Sequence, residues 1–312
     1  MGDRVIPFRI PMRMGFRGVT EREGVLIEGS FGWGEFSPFP DYPDEVAAAW
    51  ARSALASAND PAPRRIRTEV PVNAIVPAVD AETAYRLAEE SGCSTVKVKV
   101  AEGDDEERVA AVRDALGPHG KLRIDVNGRW AVDEAARMID RLSRYDLEYV
   151  EQPTATLEEM AELRRKVEVP LAADESIRNA EDPLRVAGLE AADIVVLKVQ
   201  PLGGVRRCLE VAEAAGLPAV VSSAVETSVG LAAGLLLACC LPTLPYACGL
   251  GTASLLDGDV TPESLVPVDG MLAYRQVTPD EATVEPFRLE GADADRVVAR
   301  FERARTLAEA SR

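Results

Sequence analysis

From residue 69 onward, short apolar runs rich in valine and isoleucine alternate with longer segments rich in alanine, glutamate and arginine. Runs of this kind favour strands, and the segments between them have the composition of helices. The pattern predicts strands near residues 70–77, 95–100, 121–127, 147–152, 170–175, 194–199, 218–223 and 246–250. Regular alternation of strands and helices predicts βαβ units and a parallel sheet.

Eight strands fit a closed barrel better than an open doubly wound sheet. The repeating region, residues 69–254, is short beside the roughly 250 residues of a typical (β/α)₈ barrel. One or more helices are therefore expected to be short or missing. No GxGxxG or GxxxxGK[ST] motif opens a predicted helix, so dinucleotide-binding and P-loop folds lose their main support.

The segments on either side of the barrel region have a different pattern. Residues 4–40 alternate apolar and polar positions around glycines and prolines, which predicts a small antiparallel meander, and a helix is predicted near 43–57. Residues 255–312 end in a helix that we expect to pack against the meander. The predicted division is an α+β domain of residues 1–68 plus 255–312 and a barrel at 69–254.

The most apolar run, residues 228–241, is too short to span a bilayer and ends at Pro242. It predicts a buried helix with Ser228 as its N-cap. The opening sequence MGDRVIPFRI lacks the basic segment and apolar stretch of a secretory signal. Together these features predict a cytoplasmic protein that needs no membrane.

Charge and cysteine usage narrow the choice of partners. The formal net charge of −17 works against binding nucleic acid or an anionic membrane, because both need clustered lysine and arginine. A small anionic substrate would need a locally positive site. The cysteines lack CxxC or zinc-finger spacing and are expected to be buried thiols in a reducing cytosol. They are Cys93, Cys208, Cys239, Cys240 and Cys248.

Lysine is rare in this chain, and three of its lysines lie near the ends of predicted strands. In TVKVKV, the strand period of two puts Lys97 and Lys99 on one face and the valines on the other. If the valines face the helices of a barrel, both lysines lie inside it. Taken alone, such a pair is more typical of solvated lysines on an edge strand.

The neighbouring strands change that interpretation, because each ends in a charged residue. Lys99, Asp125, Glu151, Asp174 and Lys198 follow one another at intervals of 26, 26, 23 and 24 residues. Each interval corresponds to about one βα unit, so the five residues are expected at equivalent places on successive strands. That place is the C-terminal rim, where barrel active sites assemble. Any one of them alone would be read as a helix cap or loop charge.

Three carboxylates converging in a partly buried site would raise one another's pKa unless a cation neutralised them. Oxygen ligands without histidine or cysteine favour a hard cation, so the sequence predicts Mg²⁺, or Mn²⁺ as a substitute. The predicted ligands are Asp125, Glu151 and Asp174, with Glu175 as an alternative to Asp174. A substrate carboxylate could complete the coordination.

This arrangement predicts removal of a proton adjacent to the substrate carboxylate, with the metal stabilising the resulting charge. A lysine must be neutral to accept that proton. Lys97 and the dication are expected to lower the pKa of Lys99 towards working pH. Lys198, across the ring of strands, is expected to approach the opposite face of the substrate.

The motifs KVKV, IDVN, VEQP, ADES and LKVQ, in this order, resemble those of the enolase superfamily, and more narrowly of its muconate cycloisomerase-like branch. The resemblance covers nearly the whole chain. It implies a modified TIM barrel of (β/α)₇β type with an α+β capping domain formed by the N-terminal segment and the C-terminal tail. It also implies that Lys99 and Lys198 are the acid/base pair and that the three carboxylates bind Mg²⁺.

Two other branches of the superfamily are disfavoured. The mandelate racemase-like branch uses a His-Asp pair, whereas the only histidine here, His119, precedes a strand at the end opposite the rim. Dipeptide epimerases carry an Asp-x-Asp motif at the last strand, where this chain reads CGLGTASLL.

The segments VVSSAVETSVGLAAG and ACGLGTASLLDGDV resemble the o-succinylbenzoate synthase family of menaquinone biosynthesis, particularly its actinobacterial members. That family implies a lyase that dehydrates 2-succinyl-6-hydroxy-2,4-cyclohexadiene-1-carboxylate to 2-succinylbenzoate by syn elimination. Lys99 would remove the proton and assist departure of hydroxide, and Lys198 would stabilise the enediolate as a cation.

Three alternatives stay open at this stage. Racemisation of N-succinylamino acids would use the same two lysines, so the motifs cannot separate it from dehydration. A muconate-type cycloisomerase is a further possibility within this branch. In a different class, the chain could be a non-catalytic barrel that binds an anion, although that hypothesis must explain five intact ionisable residues.

Substrate contacts are predicted from position along the strands. The succinyl carboxylate is expected near backbone N–H groups at the Ser222–Ser223 turn, and the loop at residues 12–19 is expected to close over the site as a lid. The oligomeric state is left open. The predicted contact residues are Lys97, Arg123, Asn127, Ser222, Ser223, Gly249, Gly251 and Thr252.

Overall fold

An antiparallel meander opens the computed structural model, which describes residues 4–16, 18–178 and 184–310. Three strands pair in sequence and a helix follows them, as the alternation of residues 4–40 predicted. These elements are β1 (Arg4–Phe16), β2 (Val19–Glu28), β3 (Trp33–Phe36) and α1 (Asp44–Asn59).

A curled sheet of seven parallel strands forms the centre of the described part of the chain. A short strand, β4 (Glu69–Pro71), precedes it. The seven strands, hydrogen-bonded in chain order, are β5 (Ala74–Val76), β6 (Thr95–Lys99), β7 (Lys121–Asp125), β8 (Leu147–Glu151), β9 (Leu171–Ala173), β10 (Ile194–Lys198) and β11 (Ala219–Ser222).

Helices connect these strands, and several of them are short, as the compact barrel region predicted. The helices are α2 (Ala81–Glu90), α3 (Asp105–Leu116), α4 (Val132–Ser143), α5 (Leu157–Arg164), α6 (Glu175–Arg178), α7 (Leu184–Gly188), α8 (Val199–Leu202), α9 (Val205–Ala215) and α10 (Ser228–Cys240). The shortest ones, α6, α7 and α8, flank β9 and β10. The fold is a modified TIM barrel of the (β/α)₇β class.

The predicted eighth strand, near 246–250, is reduced to two single parallel bridges. Cys248 pairs with Val72 ahead of β5, and Gly249 pairs with Ser222 at the end of β11. These bridges connect the two edges of the seven-stranded sheet. The closing segment is thus much shorter than a regular strand.

The barrel wall separates apolar and charged side chains as the strand period requires. Val96 and Val98 are fully buried in the main apolar core, and Lys97 between them belongs to the barrel interior. A small second cluster fills the lower interior around Tyr149 and Val196. The charged residues therefore lie above an apolar floor, towards the C-terminal ends of the strands.

The C-terminal tail packs against the first meander, as expected. A strand, β12 (Met271–Ala273), pairs with β4, and two helices follow, α11 (Glu281–Val284) and α12 (Gly291–Ala310). The ring of Phe301 in α12 lies 5.3 Å from that of Phe36. The exact division at residues 68/69 and 254/255 stays a prediction, and residues 1–3 and 311–312 lie outside the described residues.

The apolar run at 228–241 forms α10, as predicted, but its N-cap is Thr227 and not Ser228. The Thr227 hydroxyl accepts a hydrogen bond from the backbone N–H of Val229. Ser228 is the first helical residue, and its hydroxyl donates to Asp259. Throughout the described ranges, we find no helix whose length and apolar character would suffice to cross a membrane.

Candidate active site

Strand pairing aligns the charged residues that the sequence spacing singles out. Lys99 pairs in register with Asp125, and Asp125 pairs with Glu151. On the other side of the barrel, Lys198 pairs with Ser222, and Asp174 directly follows β9. The expected equivalent positions on successive strands are therefore present in the fold.

Each carboxylate of this group is bound to at least one ammonium or guanidinium group. Lys97 Nζ lies 2.6 Å from Glu151 Oε1 and 3.1 Å from Asp125 Oδ2, and Lys99 Nζ lies 2.9 Å from Asp125 Oδ2. Lys198 Nζ lies 2.6 Å from Asp174 Oδ2. These are buried ion pairs, which stabilise only when both charges keep their partners.

The three carboxylates differ in their pKa values because their surroundings differ. Burial raises the pKa of Glu151, and repulsion from the neighbouring Asp125 carboxylate raises it further. Burial also opposes ionisation of Asp125 and Asp174, but nearby cations outweigh it and hold both pKa values below the ordinary value. The carboxylates are thus close enough to repel one another and need positive charge beside them.

Lys97 and Lys99, two positions apart, are shifted in opposite directions. Burial favours the neutral form of Lys97, but Asp125 and Glu151 outweigh it and raise its pKa above the ordinary value. Burial lowers the pKa of Lys99, with a smaller contribution from the charge of Lys97. The predicted direction for Lys99 is found, but desolvation is its main cause.

The donor chemistry of Asp125, Glu151 and Asp174 matches a hard divalent cation, because all donors are carboxylate oxygens. Their side chains are directed at lysines, however. Over residues 4–16, 18–178 and 184–310, no group of three or more His, Cys, Asp or Glu side chains is arranged as around a metal ion. The three residue types therefore suit Mg²⁺. In this structure, however, each of the three carboxylates is paired with a lysine.

A narrow inner cavity lies between the two predicted acid/base lysines, and an outer cavity of about 310 Å³ adjoins it. The two share Phe39, Lys99 and Asn127. Predicted residues on the inner cavity are Lys97, Lys99, Asp125, Asn127, Lys198, Ser222, Ser223 and Thr252. Glu151 and Asp174 are buried behind the lysines that they bind.

Asn127 connects several groups at the C-terminal rim. Its Oδ1 accepts a hydrogen bond from Lys99 Nζ, and its Nδ2 donates to Glu175 Oε1 at 3.1 Å. Its backbone is left-handed, with φ of 52°, a conformation that asparagine tolerates better than most residues. Glu175, the alternative ligand in the sequence analysis, also binds Arg178 at 2.9 Å.

Arg123 is not brought to either cavity, contrary to expectation. It lies two residues before Asp125 and so one layer deeper in the barrel. Its Nε lies 2.6 Å from Glu148 Oε2, and its guanidinium stacks 4.7 Å from the Tyr149 ring centroid. These contacts make Arg123 part of the interior packing.

Gly249 and Gly251 do not line either cavity. A Cβ at Gly249 would lie 2.6 Å from Ser222 Oγ, so glycine allows the closing segment to approach β11. The predicted succinyl subsite at the Ser222–Ser223 turn stays a prediction; the next N–H, that of Ala224, donates to Glu226 Oε2 at 2.7 Å.

The predicted lid at 12–19 is part of a hairpin and not a loop. Strand β1 extends to Phe16 and β2 begins at Val19, and residue 17 lies outside the described residues. Gly15 and Gly18 line the outer cavity beside Lys99. The hairpin tip therefore forms one wall of that cavity, while its movement stays a prediction.

Sequence reasoning missed two residues that orient Asp174. Gln152 Oε1 accepts from the backbone N–H groups of Asp174 and Ser176, at 3.0 and 3.1 Å. Arg178 Nε lies 3.1 Å from Asp174 Oδ1, and its Nη1 donates to Tyr42 of the capping domain. The four-residue interval from Asp174 to Arg178 could have predicted their ion pair. Nothing in the sequence indicated the contact with Tyr42.

Comparison with family models identifies both parts of this fold. Residues 80–280 match the model described as enolase C-terminal domain-like, and residues 7–58 match the model described as enolase N-terminal domain-like. The chain belongs to the enolase superfamily. The superfamily resemblance of the five strand-end motifs is confirmed.

Among relatives in this superfamily, an o-succinylbenzoate synthase from Thermobifida fusca (strain YX) is 58% identical over 290 residues, which cover 91% of this chain and 92% of that protein. An o-succinylbenzoate synthase from Mycolicibacterium smegmatis is 52% identical, over 90% of this chain and 88% of that protein.

Solved structures in the superfamily show the same fold at low sequence identity. The muconate lactonizing enzyme from Pseudomonas fluorescens superposes with a TM-score of 0.80 at 22% identity, over 92% of this chain and 98% of that one. The N-succinyl Arg/Lys racemase from Bacillus cereus gives 0.79 at 21% identity, over 93% and 99%. These two likenesses concern the fold alone.

Proposed function

We propose that this protein is an o-succinylbenzoate synthase, a hydro-lyase that dehydrates 2-succinyl-6-hydroxy-2,4-cyclohexadiene-1-carboxylate to 2-succinylbenzoate in menaquinone biosynthesis. The observation that carries the proposal is identity of 58% and 52% to o-succinylbenzoate synthases over nine-tenths of the chain. The substrate is a small anionic carboxylate, which suits a cavity that Lys97, Lys99 and Lys198 line.

Lys99 is proposed to move the protons of this reaction. In its neutral form its Nζ takes the proton from the carbon that carries the carboxylate, and the electron pair left behind forms the new ring double bond. The hydroxyl group on the adjacent carbon leaves with a proton returned by Lys99, so that water is released and the ring becomes aromatic. Burial lowers the pKa of Lys99, which supports a base that is neutral nearer to physiological pH.

Lys198 is proposed to act from the other side of the cavity as a permanent cation. Its ammonium group would balance the negative charge that develops on the substrate when the proton leaves. The position of Lys198 on the inner cavity, opposite Lys99, supports this role.

Asp125, Glu151 and Asp174 are proposed to hold Mg²⁺, for which Mn²⁺ could substitute. When bound, the cation would neutralise charge developing on the substrate carboxylate. The all-oxygen donor set and the mutual repulsion that raises the pKa of Glu151 support this assignment. Gln152 and Arg178 would keep Asp174 oriented through their bonds to it.

The proposed location is the cytoplasm. All five cysteines are free thiols, and four of them are buried. Unpaired cysteines are typical of proteins kept in a reducing compartment.

The test of the proposed function offers the purified protein two substrates in D₂O with Mg²⁺. We expect rapid loss of the diene absorbance of the cyclohexadiene substrate and no α-deuteration of an N-succinylamino acid. Deuteration without loss of the diene would instead establish a racemase. A parallel sample with a chelator measures the metal requirement, and full turnover in that sample would contradict the magnesium assignment.

A further inference from the structure

The turn after β11 forms part of the inner cavity and contains an unusual backbone conformation. Ser222, Ser223, Ala224 and Val225 all line this cavity. Val225 has a φ of 61°, in the left-handed region that β-branched residues rarely adopt. Such a conformation is strained and persists only where surrounding contacts hold it.

Arg22, from strand β2 of the capping domain, is bonded to the backbone of this turn. Its Nε donates to the backbone oxygen of Val225 at 3.1 Å, and its Nη2 donates to the backbone oxygen of Ser37. Only 2% of Arg22 is exposed. A charge-assisted hydrogen bond in such an interior is stronger than one at the surface, so it can hold the Val225 peptide in its orientation.

The same guanidinium also supports a second wall of the cavity. Its central carbon lies 4.2 Å from the ring centroid of Phe39, which is close enough for a cation–π interaction. Phe39 lines both the inner and the outer cavity. Arg22 therefore contacts the backbone oxygen of Val225 and the ring of Phe39, and both of these residues line the inner cavity.

Ser37 extends this connection towards Lys198. The backbone N–H of Ser37 donates to Gln200 Oε1 at 3.2 Å, and Gln200 Nε2 donates to Ser37 Oγ at 3.3 Å. Gln200 lies two residues after Lys198 and is itself buried. Ser37, which Arg22 binds, is thus bonded to helix α8, which begins directly after Lys198.

We infer that Arg22 is a positioning residue, which holds the turn at residues 223–226 and the Phe39 ring in the arrangement that shapes the cavity between the two lysines. It touches no reacting atom and acts through Val225 and Phe39. Lysine cannot replace it fully, because the role needs two donors that diverge towards two backbone oxygens. The kinetic part of this inference rests on the proposed function.

A double-mutant cycle tests the link between Arg22 and the strained turn. Arg22→Met is expected to lower kcat/KM for the cyclohexadiene substrate at least tenfold, because misplacing a cavity wall disturbs substrate orientation. Glycine adopts a left-handed backbone without cost, so the turn should need Arg22 less in Val225→Gly. The effect of Arg22→Met should therefore be at least threefold smaller in the Val225→Gly background.

Arg113→Met is the matched control. Arg113 also donates to backbone oxygens, those of Tyr145, Gly117 and Gly120 among them, but it lines neither cavity. This variant is expected to lose stability and keep wild-type kcat/KM at temperatures where it is folded. Unchanged kcat/KM in Arg22→Met, or strictly additive effects with Val225→Gly, would overturn the inference.

Amide hydrogen exchange tests the same inference without any turnover. Arg22→Met should increase exchange in residues 222–228, whereas Arg113→Met should leave that segment at wild-type rates. Unchanged exchange there would refute the positioning role even if the proposed activity is found, and increased exchange would support it even if that activity is absent. If Arg22→Met does not fold, Arg22→Lys replaces it in both measurements. We then expect a smaller loss of kcat/KM and a smaller increase in amide exchange in residues 222–228.

Discussion

At the scale of single residues, Lys97 and Lys99 show how position decides the chemistry of one residue type. They point into the same barrel, two positions apart. Lys97 is tied to Glu151 and Asp125, so its pKa is raised against the effect of burial. For Lys99, the neighbouring carboxylates do not offset the effect of burial, so its pKa is lowered. Only the second environment suits a base.

Asp125 gives a prediction at this scale. Mg²⁺ binding should stabilise the wild-type protein by about 2.7 kcal/mol at a hundredfold excess over the dissociation constant. Asp125→Asn should lose most of that metal-dependent rise in melting temperature, because it removes one charged oxygen ligand. Differential scanning fluorimetry with and without Mg²⁺ measures it.

The control for this measurement is Asp133→Asn, at an exposed carboxylate that binds Lys166 at the surface. It should keep the full response to Mg²⁺. A wild-type protein whose melting temperature ignores both Mg²⁺ and chelator would contradict the metal site itself.

At the scale of elements, the sequence predicted those features of the candidate site that depend only on local rules. The strand period placed Lys97 and Lys99 in the interior. Even spacing placed Lys99, Asp125 and Glu151 in register, and the pairing of β6, β7 and β8 shows that register. Both rules act within one βα unit. They needed no knowledge of which distant segments meet.

The misses at this scale come from distant contacts and from depth within a strand. Arg123 obeys the same strand period as Asp125, but being two residues earlier puts it in the deeper layer beside Glu148. Phe39 reaches the cavity from the capping domain, which no spacing in the barrel sequence indicates. Thr227, whose backbone is extended ahead of the helix, takes the cap position predicted for Ser228.

Helix α5 provides an element-scale prediction. Thr156 and Glu159 form a reciprocal capping box at its start. Thr156→Ala should lower the free energy of unfolding by about 1 kcal/mol, because it removes the hydroxyl that accepts a hydrogen bond from the backbone N–H of Glu159. Urea denaturation measures this change.

Thr306→Ala, inside α12, is the comparison for that prediction. The Thr306 hydroxyl only donates to the Glu302 backbone oxygen one turn earlier. Alanine favours a helix interior more than threonine, so this variant should be neutral or slightly more stable. Equal losses in the two variants would speak against the capping box.

At the scale of the whole molecule, a buried carboxylate joins the capping domain to the barrel. Glu35, from β3, accepts hydrogen bonds from the Thr227 hydroxyl at 2.5 Å and from the Gly230 N–H at 3.0 Å, at the start of α10. Burial raises its pKa to about 7, and the facing Glu226 carboxylate adds to the shift. Glu226 in turn lies near Arg22.

This shift predicts a dependence of stability on pH. The pKa of Glu35 in the folded protein lies above its ordinary value of 4.5. The stability that the protonated Glu35 side chain contributes is therefore fully present below pH 4.5 and is lost as the pH rises through about 7. Between these limits wild-type stability should fall relative to Glu35→Gln by on the order of 3 kcal/mol. Urea unfolding of both proteins across this range measures it, and parallel pH profiles would contradict the raised pKa.

The central claim is that this barrel dehydrates its substrate with Lys99 as the base, and one turnover measurement tests it most directly. Lys99→Ala should lower kcat for the cyclohexadiene substrate roughly 10²–10⁴-fold while the protein stays folded. Lys121→Ala, at an exposed lysine that begins β7, should turn over like the wild type. Wild-type turnover in folded Lys99→Ala would contradict the account.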